Sequence, residues 1–415
     1  VITLIRLHSV WLVRLAWVSV LLGPVAGYSE IYVVDSIADL TKAVKIAAPG
    51  DVVTVKNGVY TTTAAINVRN RGTAEKPITI KAETIGGVEI AGSHGFAVTA
   101  PAEYVVISGF TFTHASGKAS IGAGSSHVRF TRNTFQCAGE GAYLTVAGYD
   151  AQVDHCAFNE KKTTGSMVAI AATNGQVAQR FWIHHNHFRD YSSTGATGGE
   201  MLRVGVGASG PSIANGLVEY NLFERCRGEN DLISSRSTGN TFRYNTFIES
   251  PTAQFTLRHG SSSVVYGNIL RNTEGLRIYG DRHLVFSNYF EGNYIGINLG
   301  NGSVETLDSA APNAHEKPDE CIIVFNTLVA NRTHYQMSRR SGAALGAAKT
   351  TFAHNILQGG IAAKIEGPYT DAVWTGNMLW NCTAGDLPAE GAIMEEPLLV
   401  ADADGISRPQ MGSPA

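Results

Sequence analysis

Short apolar strands alternate with polar turns along most of the chain. From about residue 104 an apolar stretch is followed by Asn-x-Phe or Asn-x-Leu, at Asn133, Asn186, Asn221, Asn245, Asn268, Asn288, Asn326, Asn355 and Asn377. Gly109-Phe-Thr-Phe112 and His155-Cys-Ala-Phe158 fill the same slot without Asn. The shortest intervals are about 20–24 residues, and the longer ones carry inserted loops. A repeat of that period, with one strand group per turn, predicts a parallel β-helix. Asn suits the sharp turn of each coil because it tolerates the left-handed backbone region. Its side chain can also bond from coil to coil, while the following Phe or Leu turns into the core. Leucine-rich repeats share the period but need an L-x-x-L-x-L frame, whereas the strands here are β-branched and Gly-rich. The expected fold is all-β: a single-domain, right-handed parallel β-helix.

One helix precedes the repeats, over Ser36–Ala48. Ser36 and Asp39 resemble a capping box, Ile37, Leu40, Val44 and Ala47 share one face, and Pro49-Gly50 ends it. A lone amphipathic helix ahead of a strand series predicts an N-terminal capping helix over the open end of a solenoid. Before it, Arg6 and Arg14 lead into the apolar run Leu15–Leu22 and the small residues Gly23–Gly27. This reads as a signal peptide over residues 1–27, too short for a membrane span. The expectation is a secreted or periplasmic protein with no stable membrane insertion and its β-helix domain over residues 28–415. Gly300–Pro318, Gly205–Gly216 and Ser192–Gly199 are Gly-rich loops of the kind that wall a groove on a solenoid. The last residues, Gly412–Ala415, offer no cap-like element, as in a chain cut short.

Composition narrows the function. With 44% hydrophobic residues and a formal charge of −3, the chain is globular and is not a general nucleic-acid binder. Charge is local instead: Arg225 to Arg282 holds eight arginines and no lysine, against five carboxylates. A monomer is expected. The five cysteines fit no zinc spacing. Cys137 and Cys156 are the pair closest in sequence for a bridge, and buried thiols are the alternative.

Candidate chemistry gathers between Gly228 and Tyr279. Three strands, Asp231–Ser235, Gln254–Leu257 and Gly275–Tyr279, each end in or beside a charged or hydrogen-bonding residue: Arg236, Arg258 with His259, and Arg277 with Tyr279. Glu229 and Asp231 open the first. Stacked in a β-helix, these residues form one wall. Arg236, His259 and Tyr279 each stand nine residues before the next repeat Asn, so they fall in one column with Arg258 one residue off it. The carboxylates also read as strand-edge partners of Arg225 or Arg227.

The stretches Gly199-Glu-Met-Leu-Arg-Val-Gly205, Leu217-Val-Glu-Tyr-Asn-Leu-Phe223, Gly228-Glu-Asn-Asp-Leu-Ile-Ser-Ser-Arg-Ser237, Thr256-Leu-Arg-His-Gly260 and Gly275-Leu-Arg-Ile-Tyr-Gly280 resemble polysaccharide lyase family 6, the family of alginate lyases and chondroitinase B. The resemblance covers nearly all of the chain after residue 27. It implies β-elimination on a uronic acid in an anionic polysaccharide, alginate first and chondroitin or dermatan sulfate second. It also implies a calcium ion, with Glu229 and Asp231 on the acidic ligand positions and Thr197 where the family has Asn. Arg258 falls on the family's arginine, and Arg203 on a family position. Arg236 falls on the family's base lysine, and a guanidinium does not deprotonate at ordinary pH. Three readings follow: Arg236 neutralises the substrate carboxylate while His259 or Tyr279 takes the proton; calcium is dispensable; or the wall binds uronate without cleaving it. Arg203, Arg277 and Tyr279 are substrate-binding candidates, and Arg236, Arg258 and His259 catalytic ones.

Overall fold

A computed structural model describes residues 29–115, 117–192, 198–228, 230–308, 311, 313–339 and 342–415. The expected signal peptide lies outside the described residues. The remainder winds into a parallel β-helix with three long sheets. A 14-stranded sheet starts at Ile31–Val34, a second 14-stranded sheet at Gly58–Thr62, and a 13-stranded sheet at Ile66–Val68. Each coil gives one strand to each sheet in turn, and pairing between coils is parallel throughout these three sheets.

The repeat slot does two jobs. From Asn186 to Asn377 each Asn Nδ2 donates to Oδ1 of the Asn one coil on, at 2.9–3.0 Å. These side chains are buried, so the ladder satisfies polar groups that burial would otherwise penalise by roughly 1–3 kcal/mol each. A shorter ladder, Thr273–Asn293–Asn331, runs beside it. Two residues after the slot, Phe112, Phe135, Phe158, Phe188, Phe223 and Phe247 stack with centroids 4.6–5.0 Å apart. The Asn itself is not the left-handed residue. Positive φ belongs to the residue before it, as at Arg132, His185, Tyr220, Tyr244, Ser287, Phe325 and His354. The kink one position earlier is what turns the amide inward to its ladder.

The helix spans Ile37–Ile46, with the Ser36 hydroxyl accepting from the Asp39 amide at 3.0 Å. Leu40, Ala43, Val44 and Ala47 are buried against the first coil, which caps the core. At the other end the chain makes an antiparallel hairpin, Leu399–Ala401 with Ser407–Pro409, that the repeat pattern did not predict. It packs Ile406 against Tyr289 and Val329 on the flank of the second sheet. All five cysteines are free thiols, and four are buried. Cys137 and Cys156 are not bridged. Each donates to a backbone carbonyl instead, and burial pushes both thiols up to about 12. Among the described residues no helix is long and apolar enough to cross a membrane.

Candidate active site

Outward-facing positions on the 13-stranded sheet carry the wall. Register places Arg203, Ser234, Thr256, Arg277 and Asn298 side by side on successive strands. Their neighbours Leu202, Ile233, Phe255, Leu276 and Ile297 fill the core. Strand Asp231–Arg236 runs one residue further than expected, and strand Gln254–His259 two. Between them the register slips: Ser235 pairs with Leu257 but Arg236 pairs with His259. Arg258 is the extra residue of that bulge. A bulge re-aims a side chain, and Arg258 points into a cleft of about 190 Å³ lined by Asn230, Asp231, Gln254, Thr256, Arg258, Arg277, Tyr279 and His315.

Within the cleft, Asp231 accepts from the Thr256 hydroxyl at 2.6 Å and from Arg258 Nη1 at 3.4 Å. Arg277 Nη2 donates to the Tyr279 hydroxyl, and its guanidinium lies 4.9 Å from the centre of the Tyr279 ring. The Tyr279 ring packs 4.4 Å from that of His315. His315 comes from the loop after Gly300, which folds back over the wall. No repeat or spacing marked this residue. The only signal was that Gly300–Pro318 is a long Gly-rich loop of the kind that walls a groove.

Arg236 and His259 lie behind the cleft lining. Arg236 Nη2 donates to the fully buried Glu200 at 2.8 Å, and burial lowers its proton affinity without making it a base. His259 Nε2 donates to the Ala314 carbonyl at 2.9 Å, which leaves Nδ1 with the lone pair. Burial, then the Arg236 and Arg258 charges, push this imidazole down to about 4. The expected column is thus present for Arg236 and His259, but the environment makes His259 a weak base. Lys317, the first lysine after Lys162, is held by Glu305 at 2.8 Å and Asp319 at 3.2 Å and offers no substitute.

Buried polar atoms without partners gather here. Among the described residues Arg203 Nε, Ser234 Oγ, Arg236 Nε, His259 Nδ1 and Arg277 Nε are buried and make no hydrogen bond. Buried polar atoms are rarely left this way, and three of these are guanidinium nitrogens on one sheet.

The calcium ligand set fares differently. Thr197 and Glu229 lie outside the described residues. Asp231 is taken by Thr256 and Arg258, and Glu200 by Arg236 and the Ser166 hydroxyl at 3.2 Å. No group of three or more His, Cys, Asp or Glu side chains is placed to hold a metal among the described residues. A hard divalent cation takes about six to eight oxygen ligands. Of the expected ligand set only Asp231 falls among the described residues, where it is bonded to Thr256 and Arg258.

Histidines elsewhere serve the fold. His283 accepts from the Ser263 amide at 3.1 Å and donates to the Tyr279 carbonyl at 2.9 Å, taking the place of a ladder Asn. His184, His259, His283 and His334 are each pushed down to about 4, chiefly by burial. In the unfolded chain they titrate near about 6.5. Between these values the unfolded chain binds more protons, so this stability is complete above the unfolded value and is lost as pH falls through 4. At about 1.4 kcal/mol per unit, each ring contributes roughly 3 kcal/mol at most. Thermal unfolding should therefore show Tm dropping steeply from pH 6.5 to 4. A flat Tm over that range would mean these rings are not buried and neutral.

The sequence profile of the Chondroitinase B family matches residues 34–381. No curated protein sequence matches the chain significantly. Among solved structures, the PL6 family alginate lyase AlyGC superposes with a TM-score of 0.77 at 22% identity, over 92% of this chain and 55% of that one. The chain thus spans about half the length of that enzyme. A mannuronic acid specific polysaccharide family 6 lyase from human gut microbiota gives 0.76 at 23% identity, over 89% and 92% of the two chains. A PL6 family polysaccharide lyase from Pseudopedobacter saltans gives 0.66 at 20%, over 88% and 94%. At these identities the likeness is one of fold.

Proposed function

Because the chain belongs to the chondroitinase B family, we propose that it is a polysaccharide lyase that cleaves alginate by β-elimination, with arginines in the role of a carboxylate-neutralising metal. The observation that supports this most is the cluster of buried guanidinium edges without partners. Of the three only Arg277 lines the cleft, and a uronate carboxylate there supplies the acceptor it lacks. Bound there, its charge is neutralised, and the C5 proton beside it becomes removable. Arg277 and Arg258 line the cleft and hold the carboxylate, and Arg203 and Arg236 add charge from behind.

Tyr279 is the base in this reading. It lines the cleft, and its oxygen accepts from Arg277 Nη2. The phenolate takes the C5 proton, the electron pair forms the C4–C5 double bond, and the C4–oxygen bond breaks. The departing oxygen takes the proton back from the Tyr279 hydroxyl, which restores the phenolate. His259, nearer the family's arginine in sequence, is the less suitable base because it sits behind the lining and has lost proton affinity.

The deciding assay is ultraviolet absorbance of the unsaturated uronate, on alginate and separately on dermatan sulfate, each with calcium and with a chelator. The expected result is a rise on alginate that the chelator leaves unchanged. A rise on dermatan sulfate alone would transfer the reading to a sulfated substrate. Loss of the rise with chelator would overturn the arginine assignment, and binding of alginate without any rise would leave a binding module.

A further inference from the structure

The cleft uses one face of the solenoid, and the sheet that starts at Ile31–Val34 forms another. On its last strands, Leu284–Phe286, Ile322–Val324, Thr351–Ala353 and Val373–Thr375, the middle residues Val285, Ile323, Phe352 and Trp374 belong to the core. The residues on either side of them therefore face outward. Register stacks Leu284, Ile322, Thr351 and Val373 in one outer column and Phe286, Val324, Ala353 and Thr375 in the other. Neither column holds a charge. Ile322 is 44% exposed, Val373 49%, and Phe325 at the adjoining corner 61%. Parallel sheets are ordinarily covered on both faces, and a contiguous exposed apolar patch marks a contact surface.

The edge of this patch indicates what covers it. Two positions before the first outer column, successive coils carry Arg282, Glu320, Lys349 and Asp371. All four are exposed and share a φ of 53–55°, so they form one rim along the patch. Their charges alternate: plus, minus, plus, minus. Read in reverse the order is minus, plus, minus, plus, so the rim complements an antiparallel copy of itself. A two-fold axis along the strand direction, between the coils of Glu320 and Lys349, sets Arg282 opposite Asp371 of the second copy and Glu320 opposite Lys349 of the second copy. The same axis lays Leu284 over Val373 and Ile322 over Thr351. Within one chain the rim makes only long, exposed contacts, Arg282 to Asp281 at 3.5 Å and Lys349 to Glu320 at 3.8 Å. Such pairs hold weakly and can exchange partners. An unrelated partner gives no reason for a rim that is its own complement.

We propose that this face is an interface between two copies of the chain related by that axis, in place of the monomer expected from the sequence. The proposal is independent of the lyase reading. Four strands about 4.8 Å apart and five residues at about 3.3 Å each give a face of roughly 19 by 17 Å. That is the small end for a specific contact, so the dimer is weak and concentration-dependent. The reaction cleft lies on the 13-stranded sheet, so both clefts stay open, and two clefts on one polymer bind it with avidity.

The experiment is analytical ultracentrifugation of the full chain at low salt over about 1–200 µM, a range that brackets a weak association. The parent protein is expected to pass from one copy to two. Glu320→Lys sets lysine against lysine at both symmetry-related positions and should raise the dimer Kd at least about tenfold. Combining Glu320→Lys with Lys349→Glu should restore it, because the exchanged charges are complementary again. Both side chains are exposed, so the variants should melt close to the parent, and a thermal melt on each checks this. A parent that stays a single copy throughout would overturn the interface. So would a folded Glu320→Lys variant that associates like the parent, or a folded double variant that fails to recover.

Discussion

Replacing Arg258 with alanine should lower kcat on alginate by about a thousandfold, the upper range for removing one preorganised charge from a reaction centre. Arg258 is the bulged residue between Leu257 and His259, and the slip in register is what turns it into the cleft. Its Nη1 is only 3.4 Å from Asp231, a long contact that a substrate carboxylate can displace. The substitution leaves Asp231 bonded to Thr256 and the core strands untouched, so Tm should change little. Arg258→Lys should recover only part of the loss, because a point charge cannot make the two-pronged contact of a guanidinium. Steady-state kinetics with a thermal melt on each variant check this. Near-normal turnover by Arg258→Ala would remove the cleft as the reaction site.

Tyr279→Phe should cost about a thousandfold in kcat as well, the middle of the range for a general base, with KM nearly unchanged. The ring is buried and packs on His315 and under Arg277, and phenylalanine keeps all of that surface. Only the oxygen is lost. His259→Gln serves as the comparison: it keeps a donor for the Ala314 carbonyl and should leave most of the activity. The opposite pattern, with Tyr279→Phe active and His259→Gln dead, would make His259 the base despite its lowered proton affinity. Measuring kcat against pH for both variants distinguishes these outcomes.

The physical origin of the site explains how much of it could be read from the chain. The period of Asn-x-Phe units fixes a parallel β-helix because each coil must bury one apolar ring and satisfy one buried amide in the same place. Local pattern carries both requirements, and the Asn ladder and Phe stack follow from it. The Ser36–Asp39 cap and the apolar face of the helix are local in the same sense. The arginine-rich wall was legible too, since stacking strands in register puts residues at equal offsets from the Asn side by side.

Other features depend on contacts between distant segments. That the left-handed residue precedes each Asn is decided by the inward turn of the amide, which no single residue type signals. The bulge that aims Arg258 outward is a one-residue difference between two strands, visible only when both are paired. Arg236 meets Glu200, 36 residues away, and so becomes half of a buried ion pair. Burial among arginines turns His259, a good base by type, into a poor one. His315 reaches the cleft from a loop that begins one coil further along the solenoid, and the hairpin at Leu399–Pro409 docks on the second sheet far from its neighbours in sequence. By itself the sequence determined the fold, the family and the strands that bear the site, because each follows from a pattern repeated along the chain. Which side chains face the cleft, and in what protonation state, was decided by tertiary structure, because desolvation and charge proximity arise only when separate coils and loops meet.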